Sequence, residues 1–365
     1  MTNSSHDVTA TRLKMNHLPP QRETDMATTP TPNIIETFTV GSTDALRVRA
    51  GLIPIEDAHP AARTYIERGR VLNGLRELFE LRAEAASGGV TKPRYPEQLK
   101  TVLFKVLKEA ADVRARSASE FRKVFTEVPV QNFKDIEIPS LDFVADLAPL
   151  PEGAIAEESI LGAGTKRFKG VQTWARNWFV NGTYIINDDI ELMAAYAANF
   201  GTAAAMRMAR SATDFLESNP TTADSGPLFD VAKNSRIVDA LSSTSLSAAM
   251  RTMRIAKMES GIECALPARF LVVEAGLEYD AGVLLRAAGL DTRIEIFVLP
   301  GLPTGRWYLL SDPKMVPIVG LLTLDGGINF GEVRDKKWRD GMLIGARADF
   351  NFVSLGRLGI VQGGP

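Results

Sequence analysis

The stretch INDDIELMAAYAANFGTAAAMRMARSATDFLESN, Ile186–Asn219, decides how this chain is read. Met193, Tyr196, Ala197, Phe200, Ala204, Met208, Ala212 and Phe215 recur at steps of three and four, which makes one apolar stripe. The spacing predicts a single helix over Asn187–Glu217, about 45 Å long at helical rise. Asn187 or Asp188 is placed to cap its first amides, and Asp188, Asp189 and Glu191 put negative charge at the positive end of the dipole. Asn219-Pro220 stops it. A helix far longer than the usual dozen residues is either a large core helix or a spine along which an elongated subunit is built.

Composition narrows the functional classes. Apolar residues make up 45 % of the 365 and charged residues 24 %, as in a soluble protein with a real core. The net charge of −2 supplies no basic field for wrapping nucleic acid. The single cysteine, Cys264, cannot form an intrachain disulfide and reads as a buried, inert thiol in a reducing cytoplasm. His6, His17 and His59 are the only histidines, which removes most triad and His–metal chemistry from the rest of the chain. The first residues lack an apolar signal core, and no apolar run reaches the length of a membrane span.

Upstream of the helix, residues 1–43 read as a flexible arm, polar and Pro-rich over its first 33 residues, with Met26 as an alternative start. Residues 44–120 read as a helical N-terminal region: Arg63–Arg82 carries one helix, and Pro93 and Pro96 open another with Leu99, Val102, Leu103, Val106, Leu107, Ala110 and Val113 on one face. Phe133–Ile138 alternates as a half-exposed strand does. Residues 152–182 then read as a long hairpin, with an arm near Ile155–Leu161, a tip at Gly162–Gly170 and a return arm Val171–Val180. The return arm carries Trp174 and Trp178 with little sequence nearby to bury them, so another subunit is their expected support.

Downstream, the pattern alternates between strand and helix: a helix at Ser245–Glu259, a strand Arg269–Glu274, a helix Gly276–Ala288, then strands Arg293–Leu299 and Arg306–Leu310. Ile318–Leu324, a turn at Asp325-Gly326-Gly327, Ile328–Arg334 and Met342–Val353 complete a strand-rich end, and the Gly-rich residues 354–365 read as a tail.

Candidate chemistry is thin. Gly162-Ala-Gly164-Thr-Lys166 lacks the spacing of a phosphate loop, and its flanks read as strands. No G-x-G-x-x-G follows the strand Arg269–Glu274. Asp188 and Asp189 point about 100° apart on a helix, so capping is the better reading than a metal site. Glu157-Glu158 reads as a surface pair rather than an acid/base couple. No catalytic, cofactor-binding or metal residue is assigned. The basic run Lys166, Arg167, Lys169 is either a solvated tip or a contact with an acidic patch on a neighbour.

The run Val171–Asp189, VQTWARNWFVNGTYIINDD, resembles the hairpin return and helix start of tailed-phage major capsid proteins. Gly226-Pro-Leu-Phe229, the Ser-rich helix Leu241–Glu259, Pro267–Val273, Trp307–Pro313 with Val316-Pro317, and Ala45–Gly51 are similar to the same family in the same order, covering about residues 44–365. The subgroup it resembles is often fused behind a Clp-type prohead protease, a domain this sequence does not carry. The resemblance implies an α+β, Hong Kong 97-like capsid fold. Its parts would be an N-terminal arm, an extended hairpin loop (152–182), a peripheral domain with the spine helix (121–151, 183–221 and 318–353) and an axial α/β domain (222–317). It implies a major capsid protein that assembles with copies of itself as pentamers and hexamers into an icosahedral shell around double-stranded DNA, bound without sequence specificity. Portal and scaffold, protease or decoration proteins would be further partners, with assembly in the host cytoplasm, no cofactor and no membrane. Gly162, Gly164, Lys166, Arg167, Lys169, Trp174 and Trp178 are the expected assembly contacts. Some members link their shells by Lys–Asn bonds; Lys166 or Lys169 with Asn351 is the pair such a link would need here, but no matching acid can be assigned, and cross-linking is not expected. An encapsulin-like compartment shell and a nucleotide-using α/β enzyme are the alternative readings.

Overall fold

One helix of 28 residues, Ile190–Glu217, runs through two of the chain's cores. The computed structural model describes residues 34–67, 97–139, 165–222, 226–233, 235–257, 263–333 and 341–365. The helices are α1 (Ile34–Arg49), α2 (Pro60–Glu67), α3 (Glu97–Ala118), α4 (Gly182–Ile186), α5 (Ile190–Glu217), α6 (Ser243–Ile255) and α7 (Glu278–Ala287). The strands are β1 (Thr126–Val130), β2 (Ile136–Pro139), β3 (Thr165–Phe168), β4 (Gln172–Asn181), β5 (Arg236–Ile237), β6 (Ala268–Val273), β7 (Glu295–Val298), β8 (Trp307–Ser311), β9 (Val319–Val333), β10 (Gly341–Ser354) and β11 (Ile360–Gly363).

At about 42 Å, α5 reaches from one packed body into the next. Its first half, with Ile190, Met193, Ala194 and Ala197, packs with α1, α2 and α3. Its second half, with Met208, Ala209, Ala212 and Leu216, packs on aromatic residues of β10 and on the second sheet. The buried face is largely Ala and Gly, which lets neighbours come close. A Cβ on Gly201 would lie 2.2 Å from the Ala111 carbonyl oxygen, so α3 and α5 touch backbone to backbone there.

The helix starts differently from the sequence expectation. Neither Asn187 nor Asp188 holds the N-cap position. Asp189 is the N-cap, without a side-chain hydrogen bond, because Asp188 adopts a left-handed turn (φ 64°) between α4 and α5. Asn181 instead caps α4, accepting from the Thr183 amide. The end follows expectation: Asn219 takes φ 47° and Pro220 follows. The Asn219 side chain exchanges two hydrogen bonds with the backbone of Phe229, at 2.8 and 3.0 Å.

A four-stranded sheet runs β1-β9-β10-β4, with β1 parallel to β9 and the other pairs antiparallel. A five-stranded sheet runs β5-β11-β8-β6-β7. The chain passes between them three times, from β4 through α5 to β5, from β8 to β9 and from β10 to β11. Alternation along the strands divides the cores. Leu321, Phe350 and Phe352 face α5, whereas Leu322 and Val353 face the β2–β3 pair with Phe168 and Val171. Phe352 holds Phe125, Phe215 and Phe350 at centroid distances of 5.1, 6.0 and 6.1 Å.

Four further expectations are corrected. The arm ended at residue 43 in the sequence reading, but α1 begins at Ile34 and buries Ala45 and Leu46. Asp325-Gly326-Gly327 does not reverse the chain. All three take positive φ and bulge out of one strand, opposite the register shift between Ala348 and Phe350. Residues 354–365 are no tail: β11 lies inside the five-stranded sheet between β5 and β8, and Ile360 and Val361 are buried. The absent side chain of Gly363 makes this fit, since a Cβ there would stand 1.9 Å from Trp307 Cε2. Val171–Val180 is not the free return arm of a projection, because β4 pairs with β10 over its whole length. The expected outgoing arm Ile155–Leu161, and residues 68–96 and 140–151 of the expected N-terminal and peripheral regions, lie outside the described residues.

Candidate assembly surfaces

The segment around the expected hairpin tip is tied to the body at its root. β3 pairs antiparallel with β2, bringing Lys166 opposite Ile138 and Arg167 opposite Glu137. Lys166 Nζ donates to both Thr221 oxygens and, at 3.0 Å, to the Thr222 carbonyl, and it stands 5.3 Å over the Phe168 ring. Arg167 is 70 % exposed and lies 3.2 Å from Asp135. Lys169 is exposed, and its carbonyl accepts from the Asn351 amide at 3.1 Å, as does that of Gly170 at 3.0 Å. The Asn351 amide group thus fastens the turn between β3 and β4 within its own chain, and Lys166 is engaged too. Gly162 and Gly164 lie outside the described residues.

Trp174 and Trp178 find support inside the subunit. Both lie on the face of β4 turned toward α5: the Arg207 guanidinium stacks 3.8 Å over Trp174, and Trp178 lies 5.9 Å from Tyr196. The sequence reading looked for a neighbour because nothing near in sequence could bury them. The spine helix, remote from Trp174 in sequence, does so after folding. The expected contact residues therefore split: Arg167 and Lys169 present charge outward, while Lys166, Trp174 and Trp178 secure the strand to its own subunit.

A hydrogen-bond network joins the end of the spine to the second sheet. Tyr308 donates to Glu217 at 2.6 Å, Arg306 lies 3.2 Å from the same carboxylate, and Gln362 donates to the Tyr308 hydroxyl at 3.1 Å. Burial, then the hydrogen bond to Glu217, pushes the Tyr308 phenol far above its ordinary range. Arg47 spans α1 and α3 through paired bonds of 2.6 and 2.8 Å to Glu109, which raise its own pKa.

The enzyme reading gains nothing from these surfaces. At the β6–α7 link, where a nucleotide fold would offer amides to phosphate, the Glu274 carboxylate accepts the Gly276 N–H at 2.9 Å. Its negative charge stands where an anion would bind. Among the described residues no group of His, Cys, Asp and Glu could hold a metal ion, and no helix is long and apolar enough to cross a membrane. Cys264 is half-buried rather than fully enclosed. An open groove of about 1020 Å³ lies between the two bodies, where Arg122 and Lys123 meet Arg269 and Glu295. Its charges largely pair with one another, as in Arg122 with Glu127 at 2.9 Å and Lys123 with Glu295 at 4.0 Å.

One surface escaped the sequence reading. Tyr279 on α7 is 79 % exposed and Val283, one turn on, is 49 % exposed. The signal was present, since both fall opposite the buried Ala281 and Leu285.

A family model described as "Phage capsid protein" matches residues 167–361, from β3 to β11 and thus more than half of the chain. No curated protein matches the chain in sequence. Solved structures with similarity include a virus-like particle from Pyrococcus furiosus (10 % identity, 71 % of this chain and 98 % of that one, TM-score 0.47). The capsid of cyanophage P-SCSP1u (13 %, 67 % and 87 %, 0.46) and the procapsid of bacteriophage JBD30 (13 %, 72 % and 75 %, 0.40) are others. Membership rests on the family match and not on these distant likenesses: the chain belongs to the phage capsid protein family, with a mixed α/β fold and the structural role of a capsid protein.

Proposed function

We propose that copies of this chain associate as rings of five and six and close into an icosahedral head around double-stranded DNA. The observation that supports this reading is α5 itself, one helix packed into two cores, which stiffens an extended subunit against bending between them. The near-neutral charge suits a container that must later release its DNA. In this reading β1, β4, β9, β10 and α5 form the peripheral domain, and the five-stranded sheet with α6 and α7 forms the axial domain. Residues 152–164 reach over the adjacent subunit. Arg167 and Lys169, at the root of the projection, meet acidic groups of that neighbour, and Gly162 and Gly164 lie along the projection, while Lys166 holds its root to the parent subunit. Assembly takes place in the host cytoplasm with a portal, and with scaffold, protease or decoration proteins as separate chains.

The test is direct. Purified protein should give megadalton shells by light scattering and negative-stain microscopy. A monodisperse small globule would overturn the shell reading, and shells filled with a cargo enzyme would replace the DNA container by a compartment. Reversing Arg167 and Lys169 together to Glu should hinder closure while leaving the fold intact. Normal particles from that variant would reduce the projection to a solvated loop.

A further inference from the structure

The four-stranded sheet ends on two edges of different character. β1 is five residues long and carries Pro129, which blunts that edge. β4 runs ten residues, Gln172–Asn181, without proline, lysine or glycine, and its ladder with β10 has no bulge. The edges of the five-stranded sheet, β5 and β7, are only two and four residues long. Natural sheets shield long edges with proline, lysine or a bulge, and β4 uses none of these. Among the described residues no strand pairs with its outer side, so every second residue turns its backbone N–H and C=O away from β10. Gln172, Thr173, Ala175, Arg176 and Asn177 are exposed along it. Alternation sorts the side chains. Trp174, Arg176, Trp178 and Val180 share the α5 face, and Thr173, Ala175, Asn177 and Phe179 share the other. Arg176 has no ion pair among the described residues.

We propose that β4 pairs antiparallel with β4 of a second copy across a two-fold axis, joining their sheets into one. The axis stands perpendicular to the sheet. Both copies therefore keep α5 on the same side, as two subunits of a closed shell must. Such a pairing matches residues of one face with residues of the same face, which leaves few registers. Centring on Arg176 would set two guanidinium groups directly against each other. Centring on Ala175 leaves Phe179 to Asn181 unpaired, and centring on Trp178 leaves Gln172 to Trp174 unpaired. Centring on Asn177 pairs everything from Thr173 to Asn181. Each Arg176 then lies beside Trp178 of the other copy, a cation–π contact made twice. Ala175 lies beside the other copy's Phe179, small against large. The two Asn177 side chains meet on the axis, where amides both donate and accept. Charge and length together select this one register. The contact would tie a subunit of one ring to a subunit of the next, and it rests on the shell reading above.

A single cysteine on the axis tests it. In the full chain with Cys264→Ser, Asn177→Cys should oxidise to a disulfide-linked dimer. Residues opposite one another in an antiparallel pair have Cα atoms about 4.5–5.5 Å apart, within disulfide reach. Ala175→Cys stands about 14 Å from its own copy in this register and should stay monomeric on a denaturing gel. A pair of charge variants gives an independent readout. Asn177→Lys alone and Asn177→Asp alone should each cut the yield of particles in sedimentation velocity at least about tenfold. Their urea midpoints as unassembled subunits should not change. Mixing the two variants should restore the yield to within about threefold of the unchanged chain, because Lys then meets Asp on the axis. The proposal is overturned if Asn177→Cys stays monomeric in intact particles or if Ala175→Cys links instead. It is equally overturned if the single variants assemble normally or if their mixture is no better than either part. Each of those results leaves the shell reading standing. A chain that remains a lone subunit at every concentration removes that reading and this contact together.

Discussion

Gly201→Ala isolates the contact on which the spine depends. The added methyl would sit 2.2 Å from the Ala111 carbonyl oxygen, 3.0 Å from its carbon and 3.1 Å from the Ala115 nitrogen, all backbone atoms that no rotamer change can move. A carbon–oxygen approach normally stops at about 3.3 Å, so α3 and α5 must part by about 1 Å. A gap of that size forfeits up to about half of the dispersion attraction of each facing pair. The strain belongs at the upper end of the roughly 1–3 kcal/mol typical of overpacking. Better helix propensity returns about 1 kcal/mol, leaving a net loss of about 2 kcal/mol. Gly282→Ala is the matched control: it too lies inside a helix, α7, but nothing comes within 4 Å of its added Cβ. That change should stabilise by about 0.5–1 kcal/mol. Urea unfolding of the unassembled subunit, followed by tryptophan fluorescence, reads both. With a slope of about 2 kcal/mol per molar, the Gly201→Ala midpoint should fall by about 1 M while that of Gly282→Ala rises slightly. A Gly201→Ala subunit as stable as the unchanged one would refute backbone contact between α3 and α5.

The C-terminal strand and the network at Tyr308 give three more expectations. Gly363→Ala forces a methyl into the Trp307 indole and should cost at least about 3 kcal/mol, read as a lowered urea midpoint; an unchanged midpoint would put β11 outside the sheet. Tyr308→Phe should cost about 1–3 kcal/mol at neutral pH, because Glu217 and Gln362 each lose a buried partner. The raised Tyr308 pKa means that below about pH 10 the phenol keeps its proton folded or unfolded, whereas above it the unfolded chain ionises first. Stability from this group is therefore lost as pH rises, and the gap between the unchanged chain and Tyr308→Phe should narrow above pH 10; a constant gap refutes the assignment. Asn351→Ala removes two bonds to the Lys169 and Gly170 carbonyls and should cost about 1–2 kcal/mol, with faster proteolysis between β3 and β4 as the readout.

The sequence alone determined those features whose cause is local. The stripe from Met193 to Phe215 marked α5, Leu99–Ala110 marked the buried face of α3, and the alternation along Met342–Val353 marked β10, because each element's periodicity is written in its own residues. The ordered motifs from Val171 onward carried the family resemblance. What depended on distant partners was decided only in three dimensions. Trp174 and Trp178 found α5, Ile360–Gly363 became an interior strand because β8 left a slot beside Trp307, and Asp325–Gly327 bulged because β10 continues opposite both halves of β9. Which side of a helix is buried can be read from spacing, but which exposed sides end up on opposite flanks of one sheet follows from strand order, and strand order is set by contacts between residues far apart in the chain.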